Sequence, residues 1–201
     1  MRLTLNLTAG TLFTFGLLTA APPPCVTGTL ANYIELGAEG CSFDGNVFAN
    51  FTYSAKASGG ASIIRADQIT VVPSFLAPET TRFTFSAPWT VSSGQSQDSV
   101  VGYTAVLPCG DSRTAQVDLT LGSTQIRGIV GSVTVDESTN VGKLSVFTRC
   151  TEVCQTKSND SLNFNPVSVV LVTDHVSLTG GNGGASLKEF AAQLNLCYLC
   201  P

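Results

Sequence analysis

From residue 47 onward the chain changes character at every second position. Val47, Ala49, Phe51 and Tyr53 alternate with Phe48, Asn50, Thr52 and Ser54. A period of two is that of a β-strand, whose successive side chains point to opposite faces. The pattern returns in "TRFTFSAPW", with Phe83 and Phe85 inward, and in "SVVGYTAVL", with Val101, Tyr103, Ala105 and Leu107 together. It recurs in "AQVDLTL", through Val117, Leu119 and Leu121, and again in "IVGSVTV" and "KLSVFTR". "VSVVLVTDHVSL" is apolar on both faces, which predicts a central strand. "QITVVPSF" carries Pro73, which suits an edge strand or a bulge. Between the runs lie "SAKASGGAS", "SSGQSQDS", "DESTNVG" and "TGGNGGAS". Many short strands separated by such segments predict an all-β chain, a two-sheet antiparallel β-sandwich of jelly-roll-like character.

Two stretches depart from this pattern. In "GTLANYIELG", Thr29 can cap a short helical turn that carries Leu30, Tyr33 and Ile34 on one side, and Gly37 stops it. "SLKEFAAQLNL", residues 186–196, fits a helix through Ser186 and Glu189 as a capping box. It also alternates as a strand, the favoured reading because it follows a glycine-rich hairpin loop. Asp44-Gly45 reads as a two-residue turn, since both positions tolerate positive φ. A calcium loop would need several carboxylates at alternating positions.

Charged residues make up 12% of the 201, and the net charge is −4. No cluster of Lys or Arg supplies a nucleic-acid footprint. "MRLTLNLTAGTLFTFGLLTAA" has one basic residue, an apolar stretch and small residues at its end, the plan of a secretory leader. Residues 1–21 are therefore expected to be a signal peptide and 22–201 a single domain. That domain would be secreted, extracellular or periplasmic, with no membrane span in the mature chain.

Seven cysteines in an exported chain imply disulfides, with one left over. Cys25 and Cys41 flank the short helical segment and are expected to bridge. Cys150 and Cys154 form a second candidate pair at a strand end. Cys109 is a third candidate, with Cys197 or Cys200 as its partner. Cys200 is the choice for the free thiol or an intermolecular bridge. Cys150-x3-Cys154 and Cys197-x2-Cys200 also resemble two halves of a zinc site, but in an oxidising compartment disulfides are preferred. No cofactor or metal is expected.

The strings "NYIELG", "GC", "FANFTY", "FTFSAPW", "GQSQDS" and "GYT", in this order, resemble a group of secreted bacterial proteins from acidobacteria and related phyla. The resemblance covers most of residues 25 to 105. It implies a secreted β-sandwich and brings no functional residues with it. Relatives often carry a Pro-Glu-Pro sorting tail, whereas this sequence ends "LNLCYLCP".

Catalytic signals are sparse. Asp174 and His175 are neighbours on a predicted strand, so they point to opposite faces and cannot form a dyad. No G-x-S-x-G elbow is present, and no pair of carboxylates stands out for glycoside hydrolysis. Trp89 follows Phe83 and Phe85 and is expected to close one end of the core; the alternative is a stacking platform for a sugar ring. The main reading is an exported non-enzymatic envelope, matrix or surface component. The alternatives are a carbohydrate-binding sandwich, with polysaccharide or envelope components as partners, and a secreted hydrolase.

Overall fold

The computed structural model describes residues 21–76, 80–107 and 115–195. In chain order the elements are β1 (Gly28–Thr29), α1 (Leu30–Glu35), β2 (Cys41–Phe43), β3 (Asn46–Ser58), a 3-10 turn (Ala66–Gln68), β4 (Thr70–Leu76), β5 (Thr80–Ser92), β6 (Ser96–Val106), β7 (Ala115–Leu121), β8 (Thr124–Arg127), β9 (Val130–Thr139), β10 (Gly142–Thr151), β11 (Val153–Lys157), β12 (Asn159–Phe164), β13 (Val169–Thr179) and β14 (Gly184–Asn195). They form two sheets. Sheet I has the order β1-β4-β5-β14-β7-β12, with β8 also on β14. Sheet II has the order β11-β10-β9-β13-β6-β3-β2. The strand pairs named within the sheets are all antiparallel. The all-β two-sheet sandwich expected from the alternation is the fold.

The inner faces meet in one core. Phe48 and Phe83 stand 4.6 Å apart between ring centroids, Phe51 and Tyr103 5.3 Å, and Phe85 and Phe190 5.0 Å. Such offset and tilted pairs add to area burial. The doubly apolar run became β13, central between β9 and β6. Residues 186–195 lie in strand β14, where Phe190, Ala192 and Leu194 are buried. Pro73 sits on β4 opposite Phe83 of β5 and beyond the stretch that β1 pairs, so its missing N–H takes nothing from the β1–β4 ladder.

Local chemistry explains the start of the chain. Thr29 caps α1 by accepting from the Asn32 amide, and the Asn32 side chain accepts from the Thr29 amide at 3.0 Å. Leu30 and Tyr33 face the core. Gly37, at φ 58°, lies just beyond the C-cap, Leu36. Asp44 (φ 52°) and Gly45 (φ 76°) join β2 to β3 as the tight turn expected of them. Cys25 and Cys41 are bridged and buried, with Cα atoms 4.9 Å apart. Cys150 and Cys154 are bridged across the β10–β11 hairpin. That bridge removes one half of the zinc arrangement. The leader through residue 20, and Cys109, Cys197 and Cys200, lie outside the described residues.

The alternation misplaced one aromatic. It set Phe48 on the face opposite Phe51 and Tyr53, yet Phe48 is fully buried beside Phe83. The pairing of β3 with β6 shifts register between Ala49 and Thr52, and Asn50 takes φ 55°. This bulge turns the strand over, so inward positions before and after it differ in parity. Asn is among the residues that enter left-handed space most readily.

The Cys25–Cys41 bridge closes 16 residues of sequence. Its removal as a Cys25→Ser/Cys41→Ser double variant is expected to cost about 2–3 kcal/mol. Urea unfolding of the oxidised parent and the variant checks this; coincident midpoints would refute it.

Candidate functional site

Trp89 is the core residue that its sequence neighbours predict, and the alternative role in ligand stacking falls away. It is 1% exposed and packs 5.9 Å from the Phe190 ring. Its indole Nε1 donates to Ser99 Oγ at 3.2 Å. Ser99 Oγ also lies 3.0 Å from the Tyr53 hydroxyl, which donates to the Ile64 carbonyl. The ring sits at an inward position of β5 with its polar edge satisfied, so no sugar can reach its face.

The outer face of sheet I holds the better site, and it divides into two halves. In one half the polar side chains are spent on one another. Asn195 donates to Asp118 at 2.8 Å and accepts from Thr80; Gln116 donates to Asp118. Gln193 donates to Thr120 at 3.1 Å, and Ser86 donates to Glu189 at 3.4 Å. Most polar groups of this half are engaged in this way, the exception being Arg82, opposite Gln193, whose Nε is buried without a partner.

The other half is open. β14 carries a bulge between Leu187 and Glu189, facing the break between β7 and β8. The Gly122 amide donates to the Glu189 carbonyl and the Lys188 amide to the Ser123 carbonyl, which fastens the break. A Cβ on Gly122 would stand 2.5 Å from Glu189, so glycine is required there. Beside the bulge a groove of about 340 Å³ runs along the sheet, its rim formed by Thr90, Gln125, Ser186 and Lys188. A second hollow of about 130 Å³ continues it through the shared Thr90, Gln125 and Ser186 to Arg127. Ala87, Pro88 and Leu187 supply an apolar part of the wall, while Trp89 borders the groove from behind. The side chains of Thr90, Gln125, Ser186 and Lys188 make no hydrogen bond among the described residues. The volume falls within the range of small-molecule sites, and the combination of apolar wall and convergent polar groups is theirs as well.

The glycine-rich loop after β13 has a structural role. The Gly180 amide donates to the Gln95 carbonyl and the Gly183 amide to the Gly180 carbonyl. A Cβ at Gly180 would stand 1.9 Å from the Ser92 oxygen, and one at Gly183 1.8 Å from that of Arg127. The loop is packed against its neighbours' main chain, with those amides spent internally.

His175 and Asp174 point to opposite faces of β13, as the alternation required. His175 Nε2 lies 3.0 Å from Asp98 Oδ1 on β6, and Lys56 stands 3.7 Å from the same carboxylate. Asp136 lies directly opposite His175 on β9, and its carboxylate accepts from Ser145 Oγ. Ser145 is thus engaged by Asp136 rather than by His175. This is a row of paired charges on a half-exposed sheet face, where each pair is worth little. Among the described residues no group of three or more His, Cys, Asp and Glu is placed to hold a metal ion.

Asp174 meets Glu137 instead. The two lie opposite one another on β13 and β9, at 0% and 1% exposure. No donor from any other residue reaches their four carboxylate oxygens. Burial, more than mutual repulsion, pushes Glu137 well above the usual carboxylate range. Burial also lifts Asp174 to about 7, opposed by its contact with Glu137. The pair must share a proton to be tolerated in the core. Sequence reading placed Glu137 in the "DESTNVG" loop, but β9 runs through it and the Val133, Val135, Glu137 alternation carries it inward.

No family model matches the chain, and no curated protein matches it. Several solved structures show partial likeness, among them these three. A carbohydrate-binding module, TmCBM61 in complex with β-1,4-galactotriose, is 16% identical over 82% of this chain and 97% of its own, with a TM-score of 0.32. The family 11 carbohydrate-binding module of the cellulosomal cellulase Lic26A-Cel5E of Clostridium thermocellum is 9% identical over 72% of this chain and 88% of its own, with a TM-score of 0.20. The enzymatically active domain of bacteriophage CBA120 tailspike protein 4 is 13% identical over 71% of this chain and 19% of its own, with a TM-score of 0.28. Scores this low assign no residue and no ligand to the present chain.

Proposed function

We propose that this chain is an exported, non-catalytic binding sandwich that takes a saccharide on the outer face of sheet I. The observation that carries the reading is the contrast between the two halves of that face. Where Asp118, Asn195 and Gln193 lie, these side chains bond to neighbours within the sheet. Around the groove, Thr90, Gln125 and Ser186 present hydroxyl and amide groups with no protein partner among the described residues. Hydroxyl and amide groups around a partly apolar wall match a sugar ring, which has hydroxyls at its edge and C–H groups on its face. Export is supported by the two bridged cysteine pairs, which belong to oxidising compartments. No helix among the described residues is long and apolar enough to cross a membrane.

The test is affinity electrophoresis through gels containing a panel of soluble polysaccharides, neutral and charged. At least one polymer should retard the parent. Thr90→Trp, which fills the groove from an exposed position, should abolish retardation while leaving the melting midpoint within a few degrees of the parent. Retention of binding in a folded Thr90→Trp protein would refute the site.

A further inference from the structure

Resting on the saccharide reading, we infer that the groove selects an anionic polysaccharide, one bearing carboxylate or sulfate groups, and that Lys188 and Arg127 read its charge. The protein has 14 acidic residues against 10 Lys and Arg, so its net field repels anions. The groove is the opposite. Its wall contains Lys188 and its continuation Arg127, and neither part includes an Asp or Glu. Glu189, next in sequence to Lys188, is outside the lining and accepts from Ser86.

Among the other described cations four are engaged, while Arg82 and Lys143, neither of which lines the groove, have no partner. Lys56 pairs with Asp98, Arg65 with Asp67 and Lys157 with Asp160, while the Arg149 guanidinium lies 4.4 Å over the Phe147 ring. Lys188 and Arg127 have no carboxylate partner among the described residues. Two unpaired cations at one groove in an acidic protein form a local positive site.

Their spacing suits a polymer better than a single ion. Arg127 is opposite Gly184 in the β8–β14 ladder, four residues before Lys188. At about 3.3 Å per strand residue the two lie roughly 13 Å apart along β14. Gln125 and Ser186 stand between them, opposite each other in the same ladder. A chain of sugar rings can lie along this line with hydroxyls on Gln125 and Ser186 and an acidic group at each end. Guanidinium can take a carboxylate or sulfate in two parallel hydrogen bonds, and the ammonium supplies a compact charge at the other end.

The test uses affinity electrophoresis and titration calorimetry of the full protein with polygalacturonate, dextran sulfate and neutral dextran. The expected result is binding to one or both charged polymers, weakened at least tenfold between 50 and 500 mM salt. Arg127→Gln/Lys188→Gln should weaken it at least tenfold, with unchanged melting. Arg65→Gln, a cation outside the groove's lining and paired with Asp67, should leave it unchanged. Preference for polygalacturonate would name carboxylate as the recognised group, and preference for dextran sulfate would name sulfate. Equal binding of neutral dextran, or an equal loss in Arg65→Gln, would overturn the inference. If neutral dextran binds and Thr90→Trp abolishes it, the saccharide reading stands while charge selection falls. If no polymer of the wider panel binds, both fall.

Discussion

The protein should be more stable at pH 4.5 than at pH 7.5, the reverse of acid denaturation as usually met. Asp174 and Glu137 are buried opposite each other without donors from any other residue, and both titrate above their ordinary range. The folded state therefore binds more protons than the unfolded one. Where that holds, unfolding free energy falls as pH rises. The contribution is complete below the unfolded carboxylate range, near pH 4, and for Asp174 it is lost by the folded value of about 7. The two acids titrate as a coupled pair, so the loss belongs to the pair and amounts to roughly a few kcal/mol. Urea unfolding at pH 4.5, 6 and 7.5 reads the slope. Glu137→Gln replaces the shared proton with an amide donor and should flatten it, raising stability at pH 7.5. A profile level across this range in the parent would show that the acids are not buried together as described.

Trp89→Ala is the second large effect. The substitution empties the space between β5 and β6, removing contacts to Phe190 and the donor to Ser99. Truncation of a buried aromatic of this size costs about 3–5 kcal/mol. Trp89→Phe should cost clearly less, since it keeps most of the volume. Trp89 is the chain's one tryptophan, so circular dichroism must follow the variants, with fluorescence kept for the parent. A Trp89→Ala protein that unfolds with the parent midpoint would refute the core assignment.

The parts of this fold that sequence discloses are those set by local chemistry. Thr29 as a cap, Gly37 beyond the helix and Asp44-Gly45 as a turn need only their own neighbours. The inward sets Val101–Tyr103–Ala105 and Val117–Leu119–Leu121 need only the pleat. What hid was what depends on register. The bulge at Asn50 leaves no apolar gap to mark it, so Phe48 was assigned to the wrong face. His175 meets Asp98 only because β13 pairs with β6, residues 77 apart in sequence. Glu137 was concealed by its company, since Asp, Glu, Ser, Thr and Asn in a row look like a loop. The alternation from Val133 did carry the signal, for anyone willing to let a carboxylate face the core. The groove could not be read from composition at all. It arises where β14 bulges and β7 gives way to β8, and it collects residues from three strands.

The position of β14 sets a timetable for folding. It is the last strand described, yet it lies between β5 and β7 in the middle of sheet I. Until residues 184–195 arrive, β5, β7 and β8 each present an unpaired edge towards the gap, and sheet I is three separate pieces. Long-range pairing of this kind is slow, because loop closure must be met before the contacts reward it. A chain emerging N-terminus first would wait with open edges until β14 was free. Open edges invite pairing with other chains. Shortening the chain into β14 should therefore yield aggregates rather than a smaller soluble sandwich, and the waiting period is when this protein would most need a chaperone.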